Sequence, residues 1–250
     1  MYCGAFLVAE HGSQIRILDG ISGAARATGL AVIIDVFRAF TVTPWLFHQG
    51  AARVIPVATE AQARAEKWDD PTVLLAGERN GRRLAGFDLG NSPAEVAQTS
   101  LSGKTVIQRT SAGTQGLMAA TGADRVLTAS FVNAAAVTGT IVNCIRSGEV
   151  GDVCLVAMGW NGVEASIEDR LCAEYLSELA AGGEPVFSDV RECILADPGV
   201  ARFSDPEQPW FPAADVDYCL QLDRFDVVVE LDRSNRARPE LVCRRGGEFA

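Results

Sequence analysis

Apolar positions in this chain fall into short blocks that switch between two periods. The segment Leu30-Ala31-Val32-Ile33-Ile34-Asp35-Val36 is a continuous apolar run broken only by Asp35, the pattern of a strand buried on both faces. Shorter blocks at 53–57, 72–76, 104–108, 125–129 and 152–158 predict further strands. Helical spacing between them predicts helices ending near Gly50, Trp68, Thr121 and Ser147. Thr59 with Gln62 has capping-box spacing, Ser92-Pro93 opens another helix with Glu95 at the third position, and Ser166-Ile167-Glu168-Asp169 opens one more. At the N-terminus, 4–8 and 14–18 read as an edge hairpin around Glu10-His11-Gly12-Ser13. Toward the other end, a helix over 214–222 and a strand over 225–231 close the pattern, followed by an Arg-rich tail expected at the surface. The segment 197–212, with four prolines, reads as a loop that fits either a lid or a spacer.

Repeated strand-then-helix units imply right-handed crossovers. The expected fold class is α/β: a mostly parallel or mixed sheet with helices on both faces (α/β/α). It is expected as a single domain over residues 1–250, with room for a subdomain boundary near residue 150.

Composition narrows the function classes. The 250 residues are 48% hydrophobic and 22% charged, enough for a sizeable core. No apolar run approaches the ~18 residues of a membrane span, and the first residues lack a signal-peptide layout. A cytoplasmic protein with no membrane partner is the expectation, and a homodimer is the expected assembly. Seven scattered cysteines without a C-x-x-C pair favour reduced thiols over a disulfide or zinc framework. A formal net charge of −10 argues against a nucleic-acid partner. An anionic ligand would therefore need placed arginines, helix N-termini or a metal ion.

In open α/β sheets, ligands bind beyond the carboxyl ends of strands. The uncommon polar residues collect there: Asp35 and Arg38 after the first long strand, Glu78 and Arg79 after 72–76, Arg109, Thr110 and Ser111 after 104–108, and Ser130 and Asn133 after 125–129. The loop Gly86-Phe87-Asp88-Leu89-Gly90-Asn91-Ser92 returns toward the same edge. Structural roles compete at each position. Asp35 and Glu78 could pair with Arg38 and Arg79; Thr110, Ser111 and Asn133 could serve as helix caps; Glu168 and Asp169 suit the first turn of a helix. The combination still points to a phosphate held through Mg²⁺, with hard oxygen ligands for the ion and arginine forks for the phosphate. The P-loop and G-x-G-x-x-G motifs are absent. A haloacid-dehalogenase D-x-D would need an acid at position 37, which is Phe37. His11 and His48 sit in a turn and inside a helix, away from this edge.

Four segments, Val32-Ile33-Ile34-Asp35-Val36-Phe37-Arg38-Ala39, Gly77-Glu78-Arg79-Asn80-Gly81, Gly86-Phe87-Asp88-Leu89-Gly90-Asn91-Ser92-Pro93 and Ser130-Phe131-Val132-Asn133-Ala134, together resemble the 2-phosphosulfolactate phosphatase family. That resemblance implies a Mg²⁺-dependent α/β phosphatase converting 2-phospho-3-sulfolactate to 3-sulfolactate and phosphate, a step of coenzyme M biosynthesis. It makes Asp35, Glu78 and Arg38 the catalytic candidates and Asp35, Glu78 and Asp88 the metal-ligand candidates. Arg79, Asn91, Ser92, Arg109, Thr110, Ser111 and Asn133 become substrate-binding candidates. One departure is visible: a T-T-x-N-G-T string expected after the fourth strand reads Gln108-Arg109-Thr110-Ser111-Ala112-Gly113-Thr114 here. The added Arg109 suits a more anionic or differently placed substrate group. Two alternatives stay open: a phosphatase of another phospho-acid, and a non-catalytic phosphate-ligand-binding α/β protein.

Overall fold

The computed structural model describes residues 7–8, 14–235 and 237–246. Its strands are β1 (Leu7–Val8), β2 (Gln14–Asp19), β3 (Gly29–Ile34), β4 (Arg53–Pro56), β5 (Leu74–Arg79), β6 (Arg82–Arg83), β7 (Thr105–Arg109), β8 (Ala123–Ala129), β9 (Asp152–Ala157), β10 (Val227–Asp232) and β11 (Glu240–Arg245). The helices are α1 (Gly20–Ala24), α2 (Ala39–His48), α3 (Glu60–Asp69), α4 (Pro93–Val96), α5 (Gly113–Ala119), α6 (Ala134–Ser147), α7 (Ile167–Ala180), α8 (Phe187–Leu195) and α9 (Ala214–Cys219). Most expected elements are present. Thr59 caps α3 in a complete capping box with Gln62. The first hairpin appears as β1 antiparallel to β2, while residues 4–6 and the turn around His11 lie outside the described residues, as does Cys3.

The strands form one mixed sheet in the order β1-β2-β9-β3-β8-β10-β11-β4-β7-β5-β6. Two parallel blocks, β2-β9-β3-β8 and β4-β7-β5, are joined by the antiparallel ribbon β10-β11. β9, just past residue 150, lies between β2 and β3 in the same sheet. The ribbon's antiparallel junctions formally reverse the second block, yet the carboxyl ends of β3 and β7 meet, since Gly113 N donates to Asp35 Oδ2 at 2.9 Å. Both facts hold only if the sheet coils steeply through the ribbon. β11 accordingly meets β4 at one residue pair, Leu241 opposite Val54, and two-stranded ribbons twist more than wide sheets.

The core follows from this coiling. Ile33, Val54 and Val106 share one apolar cluster with Phe40 and Leu46 of α2 and Leu117 of α5, so the inner faces of both blocks wrap the same two helices. Leu30, Val32 and Ile34, on the opposite face of β3, pack against α6 and α7. Ile55 and Ile107 face a third cluster with Ala63 of α3. Strand β3 is thus buried on both faces, as its unbroken apolar run requires.

The C-terminal tail differs from expectation. Instead of lying on the surface, 240–245 forms β11 in the middle of the sheet, with Leu241 buried. Its Arg-rich flank hides a short apolar alternation, and the pairing with β10 supplies the backbone partners that make it a strand. Helices α1 and α8 and strand β6 were likewise unexpected. The segment 197–212 is no bare spacer: it contains a 3₁₀ turn over Pro198–Ser204, with Phe203 and Phe211 buried. All six described cysteines are free, and no helix of the described residues is long and apolar enough to cross a membrane.

Candidate active site

Where the two parallel blocks converge, the chain brings Asp35 and Glu78 into one narrow pocket with Arg38, Asn91 and Ser111. Each carboxylate is anchored by main chain. Asp35 Oδ1 accepts from Ala39 N at 3.0 Å and Oδ2 from Gly113 N at 2.9 Å, so it joins the starts of α2 and α5. Glu78 Oε1 accepts from Ser111 N at 2.6 Å and Oε2 from Gly81 N at 2.7 Å. The Asn80-Gly81 pair makes this possible. Both residues have positive φ (52° and 79°), giving the primed two-residue turn that joins β5 to β6. That turn folds its own N–H back onto Glu78.

Burial is the main influence on Asp35, raising its carboxyl to about 7 against the two backbone donors, with Glu78 and Glu168 adding to the rise. Asp169, directly behind, accepts from Val36 N at 2.7 Å and Gly159 N at 2.8 Å. It stitches the ends of β3 and β9 together, and burial raises its carboxyl too, with Glu168 and Asp35 next in weight. Glu168 is raised chiefly by burial, opposed by Arg202. Glu168 and Asp169 therefore do more than suit the dipole of α7.

Arg38 is nearly fully buried and donates to Asp215 Oδ2 at 2.7 Å, Trp210 O at 3.0 Å and Gly81 O at 2.9 Å. Three of the five guanidinium donors are thus used, leaving two. Its partner Asp215 is 0% exposed and also accepts from Ser92 Oγ at 2.6 Å and Ala94 N at 3.2 Å. Sequence reasoning overlooked Asp215 because an acid in the first turn of a helix reads as ordinary dipole chemistry. It also overlooked Trp160 and Phe211, which wall the pocket. Trp160 follows β9 directly, and the strand-end rule applied to that loop would have found it.

Several expected site residues stand elsewhere. Asp88, expected as a metal ligand, accepts from Leu75 N at 2.8 Å and lies 3.3 Å from Lys67 Nζ; Leu75 is near the start of β5, so Asp88 faces away from the strand end that carries Glu78. Arg79 is exposed and pairs with Glu60 at 3.2 Å. Ser92 caps α4 by accepting from Glu95 N at 3.2 Å, but the anion at that helix start is the protein's own Asp215. Glu95 reaches Gly90 N rather than closing the expected capping box. Thr110 exchanges hydrogen bonds with Thr114, and Asn133 holds Ser130 N and Val227 O. Arg109 donates to the carbonyl of Glu78 at 2.6 Å and supports that residue from behind. Asp35, Arg38, Glu78, Asn91 and Ser111 remain facing the pocket.

A buried acid pair and a buried arginine at the strand ends of an α/β sheet form a site suited to hydrolysing a phosphate ester. The comparisons agree with that class. The family model described as 2-phosphosulpholactate phosphatase matches residues 16–201. A probable 2-phosphosulfolactate phosphatase of Caldicellulosiruptor saccharolyticus is 37% identical over 80% of this chain and 88% of its own. Relatives with the same description from Deinococcus radiodurans (37% identical; 81% of this chain, 87% of the relative) and Bacillus subtilis (30%; 87% and 93%) are similar along comparable spans. The chain belongs to the 2-phosphosulfolactate phosphatase family and is a phosphoric monoester hydrolase.

Proposed function

We propose that this enzyme hydrolyses a small phosphorylated acid, 2-phospho-3-sulfolactate being the first candidate, with Mg²⁺ as cofactor. The observation carrying this reading is the pair Asp35 and Glu78, brought from separate sheet blocks into one pocket beside Arg38. The donor set fits the ion. Among the described residues no group of three or more His, Cys, Asp or Glu makes a protein-only metal site, but Mg²⁺ commonly takes one or two carboxylates and fills its shell with water and phosphate oxygens. Both oxygens of Asp35 and Oε1 of Glu78 each spend one lone pair on a backbone N–H and keep another, while Glu78 Oε2 accepts from Gly81 N and, at 3.3 Å, from Ser111 Oγ. The buried acids around Asp35 also leave negative charge that a cation would offset. Asp35 and Glu78 would hold Mg²⁺, which when bound supplies positive charge to the phosphoryl oxygens.

The chain's own groups do the rest. The two unused donors of Arg38 orient the phosphoryl group, and Asn91 and Ser111 border it. The carboxylate of Asp35, held by Ala39 N and Gly113 N, orients the attacking water and accepts its proton. The water oxygen bonds to phosphorus, the ester P–O bond breaks, and the leaving alkoxide takes up the proton, releasing phosphate and the hydroxy acid. The test is phosphate release from 2-phospho-3-sulfolactate and a panel of phospho-acids, with and without EDTA. Release that stops on chelation and returns with Mg²⁺ is expected. Release that survives chelation removes the cofactor from the reading, and tight binding of a phospho-acid without turnover makes the protein a ligand sensor instead.

A further inference from the structure

The inner pocket adjoins, across Trp160 and Phe211, a second and much larger cavity that both residues also line. The inner pocket offers about 30 Å³ and the outer cavity about 670 Å³. The inner space admits little beyond phosphoryl oxygens, whereas the outer one falls in the range of sites for far larger ligands, roughly 300–1,000 Å³. The rest of any substrate must extend outward.

The outer cavity has a distinct electrostatic character. In a chain of net charge −10, its lining holds Arg79, Arg82, Arg83 and Arg202 and no acid. Arg79 and Arg83 are engaged from outside by Glu60 and Glu95. Arg82 is the cation without a carboxylate partner among the described residues, and Arg202 holds only a longer ion pair with Glu168 on its inner side. Arg82 lies flat on the Trp210 ring at 3.6 Å from its centroid and has no carboxylate in ion-pair range among the described residues. Arg202 lies over Trp160 at 4.6 Å, with Glu168 no nearer than 3.8 Å. Stacking on tryptophan fixes each guanidinium plane while leaving its N–H edge for an anion. Two lining residues also carry buried N–H donors without an acceptor, Arg202 Nε and Trp210 Nε1. A neighbouring cavity of about 280 Å³ also borders Arg38 and Asn91, but it contains Glu95, which makes it a poorer home for an anion.

Resting on the phosphatase reading above, we propose that Arg82 and Arg202 bind a second dianionic group, such as a distal phosphate, on phosphate monoesters long enough to reach the outer cavity, so that among such longer esters the enzyme favours those carrying a far anion. The ester reacts in the inner pocket while the far anion sits between the two stacked arginines.

Hexanediol bisphosphate and hexyl phosphate share a spacer and differ in the far anion. The bisphosphate should show a kcat/KM higher by roughly tenfold or more, the effect of one charge-assisted contact. That preference should collapse in Arg82→Ala and in Arg202→Met. Calorimetry of the same two probes reads the site without turnover and covers a variant that folds poorly, because the unsubstituted enzyme alone should already bind the bisphosphate more tightly. Equal kcat/KM and equal affinity for the two probes overturn the outer anion site, while hydrolysis of hexyl phosphate or 2-phospho-3-sulfolactate leaves the phosphatase reading standing. Tighter, Arg82-dependent binding of the bisphosphate with no hydrolysis of any ester does the reverse.

Discussion

The inner pocket and the outer cavity touch at Trp160 and Phe211, yet they are built on opposite plans. Inside, both carboxylates are held by backbone N–H groups from turns and helix starts, and the arginine is clamped by a fully buried aspartate. Outside, the charged groups ride on exposed side chains of the short strand β6 and on the 3₁₀ turn at Arg202. On the proposed reading, the groups assigned to chemistry are therefore part of the folding framework, while those assigned to the far end of a ligand can change with little structural consequence. Stability and activity should be coupled inside and separable outside.

The sharpest break of that contrast comes from the acid pair. Glu78→Gln and Asp35→Asn should each lower kcat by roughly 10²-fold or more, with far-UV circular dichroism still reporting a folded chain. If either keeps activity near the parent's, the inner pocket is structural only. Next in size is Arg38→Met, which strands Asp215 as a buried unpaired charge. Removing one partner of such a pair costs about 3–5 kcal/mol, so chemical denaturation should show a large loss of stability along with lost activity.

The pH dependence of stability in chelated protein follows. Asp35 ionises near 3.8 when unfolded and at about 7 when folded, so the folded state holds its proton longer. Its contribution is present at acid pH and is lost as pH rises from about 4 through about 7. Conversion at ~1.36 kcal/mol per pH unit bounds the loss at roughly 4 kcal/mol. The Asp35→Asn variant should lack this part of the profile. A parent whose stability is flat across that range would show that Asp35 is not the buried acid described. The smallest effect is expected at Arg79, whose exposed pair with Glu60 should be removable by Arg79→Ala without a measurable change in melting temperature.

Much of the inner site was legible from the residues. Asp35 stood out because an acid ending a run of core residues needs a partner, and it has two backbone donors. Glu78 was legible as a strand-end acid, although the Asn80-Gly81 hairpin signal that fixes its carboxylate was present and unused. Thr110 and Asn133 lay on the same edge but spend their side chains on nearby main chain, Thr110 on Thr114 N and Asn133 on Ser130 N, a role that residue type alone does not separate from ligand binding. Asp88 misled for a geometric reason. The loop that carries it returns along β5, and a residue's position in a loop does not say which end of the neighbouring strand it faces. The outer cavity was the least legible part, since Arg82, Trp160, Arg202 and Trp210 come from three separate segments with no shared motif.

By itself, the sequence determined the α/β class, the alternation of strands and helices, the family, and two of the acids in the pocket. These depend on local periodicity, capping chemistry and short motifs, each readable within a few residues. Only the tertiary structure decided that 240–245 enters the sheet as β11, that Asp215 rather than a ligand occupies the start of α4, and that the arginines of β6 and the 3₁₀ turn share a cavity. The reason is physical: these outcomes depend on contacts between residues tens to hundreds of positions apart, which arise from the coiling of the β10-β11 ribbon and from the packing of 197–212 over the strand ends.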